Sequence, residues 1–311
     1  MTLPVVPGSS LSFSQVNTEL SLSSTATISL NDAAVRTLAA VGASPATIAI
    51  TNLSGKSNSF PLSISSNQTN ANLRTLAINA GWPGTAQVIA TISPGIFVYS
   101  TSTGTPALTI DGAFPNGVKL TNNGTIQGMG GGGGSGAGIQ NFPNPNARPG
   151  SDGAAGGLAL SVSVAVTIDN GPGRIAGGGG GGGGGKATAF SVGKGFSTYT
   201  GGGGGGGLGG NGGAGGAGGS GGGWSPSWNA PTAPSGSQAA AGSGGPGGSG
   251  SPFPGGSGGS YGAAGSTGTG GPPNGNYFYV GPYSGGAGGG AITGNSNITY
   301  IAVGTRNGGI S

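Results

Sequence analysis

Residues 177–185 are nine consecutive glycines, and they follow directly on VTIDNGPGRIA (166–176), which reads as a β-strand and a turn. Glycine loses more backbone freedom on folding than any other residue. Such a run is normally a tether, and a chain that orders it must supply a repeating source of hydrogen bonds. Polyproline-II-type geometry has three residues per turn, a rise of about 3.1 Å and no internal hydrogen bonds, so nine glycines span roughly 28 Å. All of its N–H and C=O groups point outward. With no Cβ in the way, neighbouring glycine helices can pack closely and bond to one another. Ordering a residue costs about 1–2 kcal/mol, whereas a hydrogen bond returns about 0.5–1.5 kcal/mol net. An isolated glycine helix therefore loses, and a bundle with nearly every amide paired approaches balance.

Residues 209–223 parse as GGN GGA GGA GGS GGG, a period of three that sets Asn211, Ala214, Ala217 and Ser220 along one edge. The other two edges are bare backbone. Of 311 residues 80 are glycine, yet a collagen helix is excluded, because Gly-X-Y with frequent Pro does not run on and bulky loops break the runs. Those loops are 139–155, 186–200, 224–241 and 272–283. Segments joined head to tail put their connections at both ends of a bundle, and the spacing does not say which loop lies at which end.

The chain also repeats. GVKLTNNGTIQGMGGGGG (117–134) matches AVTIDNGPGRIAGGGGGG (165–182), and NITYIAVGTRNGGIS (297–311) repeats the strand and the closing Gly-x-Ile. Each strand thus feeds the glycine region in the same way. Upstream, ATIAITN (46–52), FPLSIS (60–65), AQVIATIS (86–93), IFVYST (96–101) and ALTID (107–111) read as short strands, with Ser93-Pro94-Gly95 as a turn. LSFSQVNTEL (11–20) and ISLNDAAVRTLAAV (28–41) read as short helices. Asn31 or Asp32 caps the second, and Val35, Leu38 and Ala39 share its apolar face. The predicted fold is mainly β and irregular. It comprises a small helical N-terminal segment (1–45), a small β-domain (46–115), and a polyglycine-II helix bundle with connecting loops and short strands (116–311).

Several function classes drop out. Without Cys or His there is no disulfide, thiolate nucleophile, imidazole base or ordinary zinc site. No metal or other cofactor is expected. The nine Lys and Arg are scattered with no two adjacent, which is not a nucleic-acid surface. The start, MTLPVVPGSS, has neither a basic nor an apolar region, so no signal peptide is expected. No apolar stretch reaches eighteen residues. Gly180-x-x-x-x-Gly185-Lys186-Ala187 misses a phosphate-binding loop at its last position, where the hydroxyl is absent, and glycine runs generate the spacing freely. Among the acids, Asp32 reads as a cap, and Asp111 and Asp169 as turn residues. Catalysis by a carboxylate pair is a rival, and no enzyme activity is expected.

The aromatic residues gather in loops of the last third: Trp224, Trp228, Phe253, Tyr261, Tyr277, Phe278, Tyr279 and Tyr283. They read equally as plugs of the bundle and as a recognition surface. Residues 1–60, with LSFSQVNTEL, ISLNDAAVRTLA and ATIAITNLSGKS, resemble N-terminal segments of tailed-bacteriophage virion proteins. The strand–Asn–Gly–x–Ile–polyglycine repeats resemble glycine-rich phage tail-fibre receptor-binding proteins. Their layout of runs and loops is similar to the tip adhesins of T-even-like phages. That family implies a sandwich of polyglycine-II rods whose distal loops contact a bacterial receptor.

The resemblance implies a virion adhesin, made in the host cytoplasm, that recognises a host outer-membrane protein or surface glycan. Its receptor-binding residues are then Trp224, Trp228, Tyr277, Phe278, Tyr279 and Tyr283, with 139–152 and 186–200 next. Residues 1–45 would dock to a phage tail or baseplate protein. Monomer and homotrimer both stay open. A purely structural virion fibre, an antifreeze-like ice-binding protein and a depolymerase spike are the alternatives.

Overall fold

The sequence repeat proves to be the register of a parallel sheet. The computed structural model describes residues 3, 11–20, 22–42, 45–54, 56, 58–140, 146–192, 195–220, 229–246, 251, 253–270 and 278–311. Thr167 lies beside Lys119, and Val166 beside Ile298, which are the alignments the repeat sets up. The chain winds through three parallel sheets in turn. The first joins Ser59–Ile64, Gln87–Ile92, Val118–Asn122, Val166–Asp169 and Ile298–Ala302. The second joins Gln68–Thr69, Phe97–Tyr99, Thr125–Gln127, Arg174–Ala176 and Thr305–Asn307. The third joins Ala71–Asn72, Leu108–Ile110, Leu160–Val162 and Ile292–Thr293, with Ile310 bridged to Ile292. The result is a five-coil β-solenoid.

Its core consists of columns of aligned side chains. One runs Leu62, Ala90, Leu120, Ile168; another runs Val98, Ile126, Ile175; a third runs Leu108, Leu160, Ile292. All are buried. Period-two alternation gives the strands this inward set, while Thr91, Thr109, Thr121 and Thr167 point outward. At the corner between the first two sheets, buried Asn122 donates from Nδ2 to Oδ1 of buried Asn170 at 2.7 Å, and Asn170 donates to the Val303 carbonyl at 2.9 Å. The Asn of each repeat thus holds the corner of the next coil.

The last coil changes chemistry. Tyr300 continues the Ile168 column and Arg306 continues the Ile175 column, with the guanidinium 5.0 Å from the Tyr300 ring centroid. An inward-pointing charge at a sheet edge discourages end-to-end pairing.

The N-terminal region has a separate core of Leu3, Val16, Val35, Leu38, Ala39 and Leu53. Helix α1 (Phe13–Glu19) carries a Ser12/Gln15 capping box, and α2 (Ala33–Ala39) buries Val35, Leu38 and Ala39 as the spacing predicts. Asp32 sits at the N-cap of α2, but its carboxylate accepts from the Ser29 amide instead of capping the helix. The strand expected over 46–52 is not formed. Ile50–Leu53 is a 3-10 turn, in which Asn52 accepts from the Ala49 amide. A further helix, α3 (Leu73–Asn79), lies between the first and second coils with Leu73 and Ala77 in the solenoid core.

Both glycine regions leave the solenoid at one corner, between the second and third sheets. Residues 128–159 interrupt the third coil there and 177–291 the fourth. They form extended segments over 128–137, 151–159, 177–186, 200–209, 211–220, 230–237, 240–246, 253–260, 262–270 and 282–290, bonded side by side. Partners change in a cycle of three. Gly178, Gly179 and Gly180 donate to Gly157, Leu208 and Ala263; Gly181, Gly182 and Gly183 donate to Ala154, Gly205 and Ser266. The Gly178, Gly179 and Gly180 carbonyls accept from Gly289, Gly131 and Gly259. The nine-glycine segment is therefore enclosed by six others, and a methyl group on Gly180, Gly181 or Gly182 would overlap the carbonyl oxygen of Gly286, Gly132 or Gly256. The second uninterrupted run, 201–207, is likewise bonded on all sides, to 128–137, 177–186, 211–220, 230–237, 240–246 and 253–260. Segment 211–220 bonds to 128–137, 200–209 and 230–237, leaving Asn211, Ala214 and Ala217 exposed. Side chains occur in this array where a segment has an open edge.

Two predictions follow from this packing. A Cβ at Gly132 meets only the Ala214 oxygen at 3.8 Å, whereas one at Gly133 overlaps the Gly204 carbonyl. Gly132→Ala should hold or gain stability by up to about 1 kcal/mol. Gly133→Ala should lose at least about 2 kcal/mol in denaturant titration. At the solenoid end, Arg306→Ile extends an apolar column into solvent. Sedimentation should show a concentration-dependent rise in mass that Arg306→Lys does not produce.

Candidate functional site

Direction within the array decides where the loops fall. Segments 128–137 and 177–186 start at the solenoid, and their hydrogen-bond registers run parallel to 211–220 and 262–270. All of these end on the side away from the solenoid. The described residues leading into and out of the long connections, 138–140, 146–150, 187–192, 195–199, 229, 246, 251 and 278–281, therefore lie at that far end. Short ones, at 208–211, 237–240 and 260–262, return at the solenoid side. There Gly177 donates to the Asn307 carbonyl, and Gly210 packs so closely on Tyr99 that a side chain would collide with it. The tight turns thus lie near the solenoid, and the described ends of the segments that flank the long connections lie far from it.

At the far end the glycine segments pass into strands. Ala187–Val192 pairs antiparallel with Gly195–Tyr199 on one side and Phe278–Val280 on the other. Gly138–Gln140 pairs with Asn146–Arg148. Beneath them Ala137, Ile139, Ala187 and Ala189 form a small core against Val280 and Tyr283. Β-branched and aromatic residues in 186–200 give that stretch its strand preference.

The expected site residues divide three ways. Trp224, Trp228 and Tyr277 lie outside the described residues. Phe278 and Tyr279 stand on the strand at 41% and 50% exposure, in spite of their apolar rings. Tyr283 is half-buried, its amide bonded to the Gly184 carbonyl and its ring packed near Gly150 and Gly281. Tyr261 belongs to the opposite end, in the solenoid-side turn at 260–262.

Lys186 is the residue that motif reasoning set aside. It closes the nine-glycine segment, is 3% exposed, and sets its ammonium 4.5 Å from the Tyr279 ring centroid and 5.6 Å from that of Phe253. Its amide donates to Thr269. No helix follows it, since Ala187 opens a strand, so the phosphate-loop geometry is not built. A cation centred between two aromatic loops is worth roughly 0.5–2 kcal/mol, more when desolvated. A lysine directly ending a glycine run was the available signal.

The acids have structural partners. Asp111 accepts from Asn72, Asp152 from the Ser284 amide, Asp169 from the Gly171 amide, and Glu19 from the Asn58 amide. Among the described residues no three of His, Cys, Asp and Glu lie close enough to hold a metal ion. No described helix is long and apolar enough to cross a membrane.

Comparison with known proteins agrees with this architecture. The profile of the family described as phage tail fibre adhesin Gp38 matches residues 59–311, which takes in the whole solenoid and the glycine array. Among solved structures, the chain is similar to one in the gp37–gp38 adhesin tip complex of the bacteriophage S16 long tail fibre. The TM-score is 0.51 and the identity 24%, over 89% of this chain and 91% of that one. No curated protein sequence matches. The chain belongs to the phage tail fibre adhesin Gp38 family, and its function is that of a receptor-binding tail adhesin.

Proposed function

We propose that this adhesin recognises its host through the loops gathered at the far end of the glycine array. The observation that carries the proposal is segregation: the described segments on either side of each long connection end on the same side of the array, and two large aromatic side chains stand exposed there. Loops on a rigid scaffold commonly carry binding, and aromatics supply contact area at low entropic cost. The receptor-binding residues are Phe278 and Tyr279, with Trp224, Trp228, Tyr277 and Tyr283 from the same set of loops. The receptor is an outer-membrane protein or a surface glycan. In this reading recognition is without chemistry.

The glycine segments are polyglycine-II helices in this reading, a geometry supported by the three-residue cycle of their partners. The glycine array within 116–311 is the receptor-binding part in this reading, and the coils within 59–110 join the later strands in the solenoid that carries it. The N-terminal segment, 1–45, docks to the phage tail. The similar S16 structure is that of a complex with a second tail-fibre protein, gp37, which supports docking to a fibre. The separate N-terminal core, reaching Leu53, gives that segment a body of its own. The protein's location is accordingly the virion tail, after synthesis in the host cytoplasm.

The test uses the full chain, fluorescently labelled and titrated onto candidate host cells. Saturable binding should fall about 30-fold or more in a Phe278→Ser/Tyr279→Ser variant whose melting curve is unchanged, as for hot-spot aromatics worth about 2 kcal/mol. Undiminished binding by that variant would sink the assignment of these residues. Lys186→Met keeps the stem and removes the charge beneath Tyr279. It should weaken cell binding about threefold to tenfold, mainly through faster dissociation, as the ring loses its cation–π partner.

A further inference from the structure

On the opposite side of the molecule a pocket of about 340 Å³ opens between the outer face of the second sheet and the glycine array. Four of its residues are one outward column of the solenoid: Phe97, Thr125, Arg174 and Thr305, each beside the next on adjacent strands. Asn123 lines it from the coil corner and Tyr261 from the solenoid-side turn of the array. Tyr261 donates its hydroxyl proton to the Gln238 carbonyl at 3.2 Å, so two turns of the array hold the ring in place. The Arg174 guanidinium lies 4.6 Å from the centroid of that ring.

The chemistry of this pocket is one-sided. It has a half-buried guanidinium, and no Asp or Glu lines it. Among the described residues Arg174 has no carboxylate partner; its side chain makes the Tyr261 contact alone. A guanidinium fixed on a ring face keeps its fork of donors for a planar anion, in particular a carboxylate. Around it stand one amide, two hydroxyls and the Phe97 ring, which suit the hydroxyls and the apolar face of a pyranose. The volume is at the lower limit of small-molecule sites and fits one sugar unit. With strands forming one wall and a pinned turn the other, little ordering remains to be done on binding.

We propose that this pocket binds a carboxylate-bearing sugar residue, a hexuronate or its like, independently of the far-end loops. Arg174 takes the carboxylate, Asn123, Thr125 and Thr305 the hydroxyls, and Phe97 packs on the ring. The absence of any acid makes it a binding site without hydrolysis. It would give the adhesin a second contact with an acidic glycan, in addition to receptor recognition at the far end.

Calorimetric titration of the full chain with methyl glucuronide, methyl glucoside and N-acetylaspartate tests this, with the Arg174 Nε–H resonance followed in parallel. The expected result is saturable glucuronide binding at a millimolar constant or tighter, with the glucoside and the acidic amino acid each at least about tenfold weaker. The Arg174 resonance should shift with the same constant. Arg174→Gln should abolish binding. Thr305→Val, which leaves the Arg174–Tyr261 contact intact, should weaken it about threefold to tenfold. The Phe278→Ser/Tyr279→Ser variant should bind the glucuronide as the parent does. The proposal is overturned if the glucuronide does not saturate, if the glucoside or N-acetylaspartate binds equally well, or if binding survives Arg174→Gln. In those cases Arg174 and Tyr261 serve only to clamp the array to the solenoid.

Discussion

A backbone amide can donate to the carbonyl of a neighbouring extended segment only where no Cβ stands between them, and the second half of this protein depends on that condition. Most close-packed architectures are assembled by side chains, with main-chain bonds confined to one helix or one ladder. Here the main chain itself is the packing surface on every side. Around 177–185 the six neighbours leave no direction in which a methyl group could project. The same condition explains why composition varies along the array. Segments at its edge admit Asn, Ala and Ser at every third position, because one residue of each turn faces solvent. The interior runs admit glycine alone.

Such an array has little hydrophobic burial of its own, and the hydrogen bonds it makes only approach the entropy lost in ordering it. Anchorage has to come from elsewhere. The solenoid supplies it, through columns of Ile, Leu and Val that exclude water and through the paired Asn122 and Asn170 at its corner. Strands 125–127 and 174–176 launch the first two outward segments side by side, already in parallel register. Once 128–137 and 177–186 are placed, each later segment finds donors and acceptors at a repeat that is already set. Folding of the array thus has a template, which a free glycine chain lacks.

Much of this was legible in the sequence, and the limits were physical. The period of three in 209–223 fits the edge segment 211–220, where Asn211, Ala214 and Ala217 of the four residues it selects are exposed and Ser220 is half-buried. The helix within 28–41 follows from its apolar spacing, and most strands follow from alternation. The repeat at 117, 165 and 297 was visible, but its meaning as successive coils was not. Its third sheet lies beyond a glycine insertion in two coils, so the period is hidden by 32 residues in one coil (128–159) and by 115 in another (177–291). ATIAITN reads as a strand by composition, yet Ile50–Leu53 is a 3-10 turn in which Asn52 accepts from the Ala49 amide. At the candidate site, Phe278 and Tyr279 are exposed on a strand that the aromatic composition of 277–283 does not by itself announce. Lys186 was overlooked because its partners, Phe253 and Tyr279, lie 67 and 93 residues away in sequence, and nothing local announces a contact made through space.

The placement of the loops follows from what each end of the array must touch. On the solenoid side the turns rest on a sheet whose outer residues, Tyr99, Gln127 and Asn307, fit against glycine backbone with no room to spare. A longer turn there would lift the array off its template. Away from that sheet, the cost of closing a longer loop grows only as the logarithm of its length. The bonds that hold the segments are between main-chain atoms, so they do not depend on which side chains the far loops carry. A change of an exposed side chain such as Phe278 or Tyr279 removes none of those main-chain bonds, whereas Ile139, Ala187 and Ala189 belong to the small far-end core. An adhesin built in this way separates the residues that specify its fold from those free to specify its partner, and the separation follows from the chemistry of the peptide group.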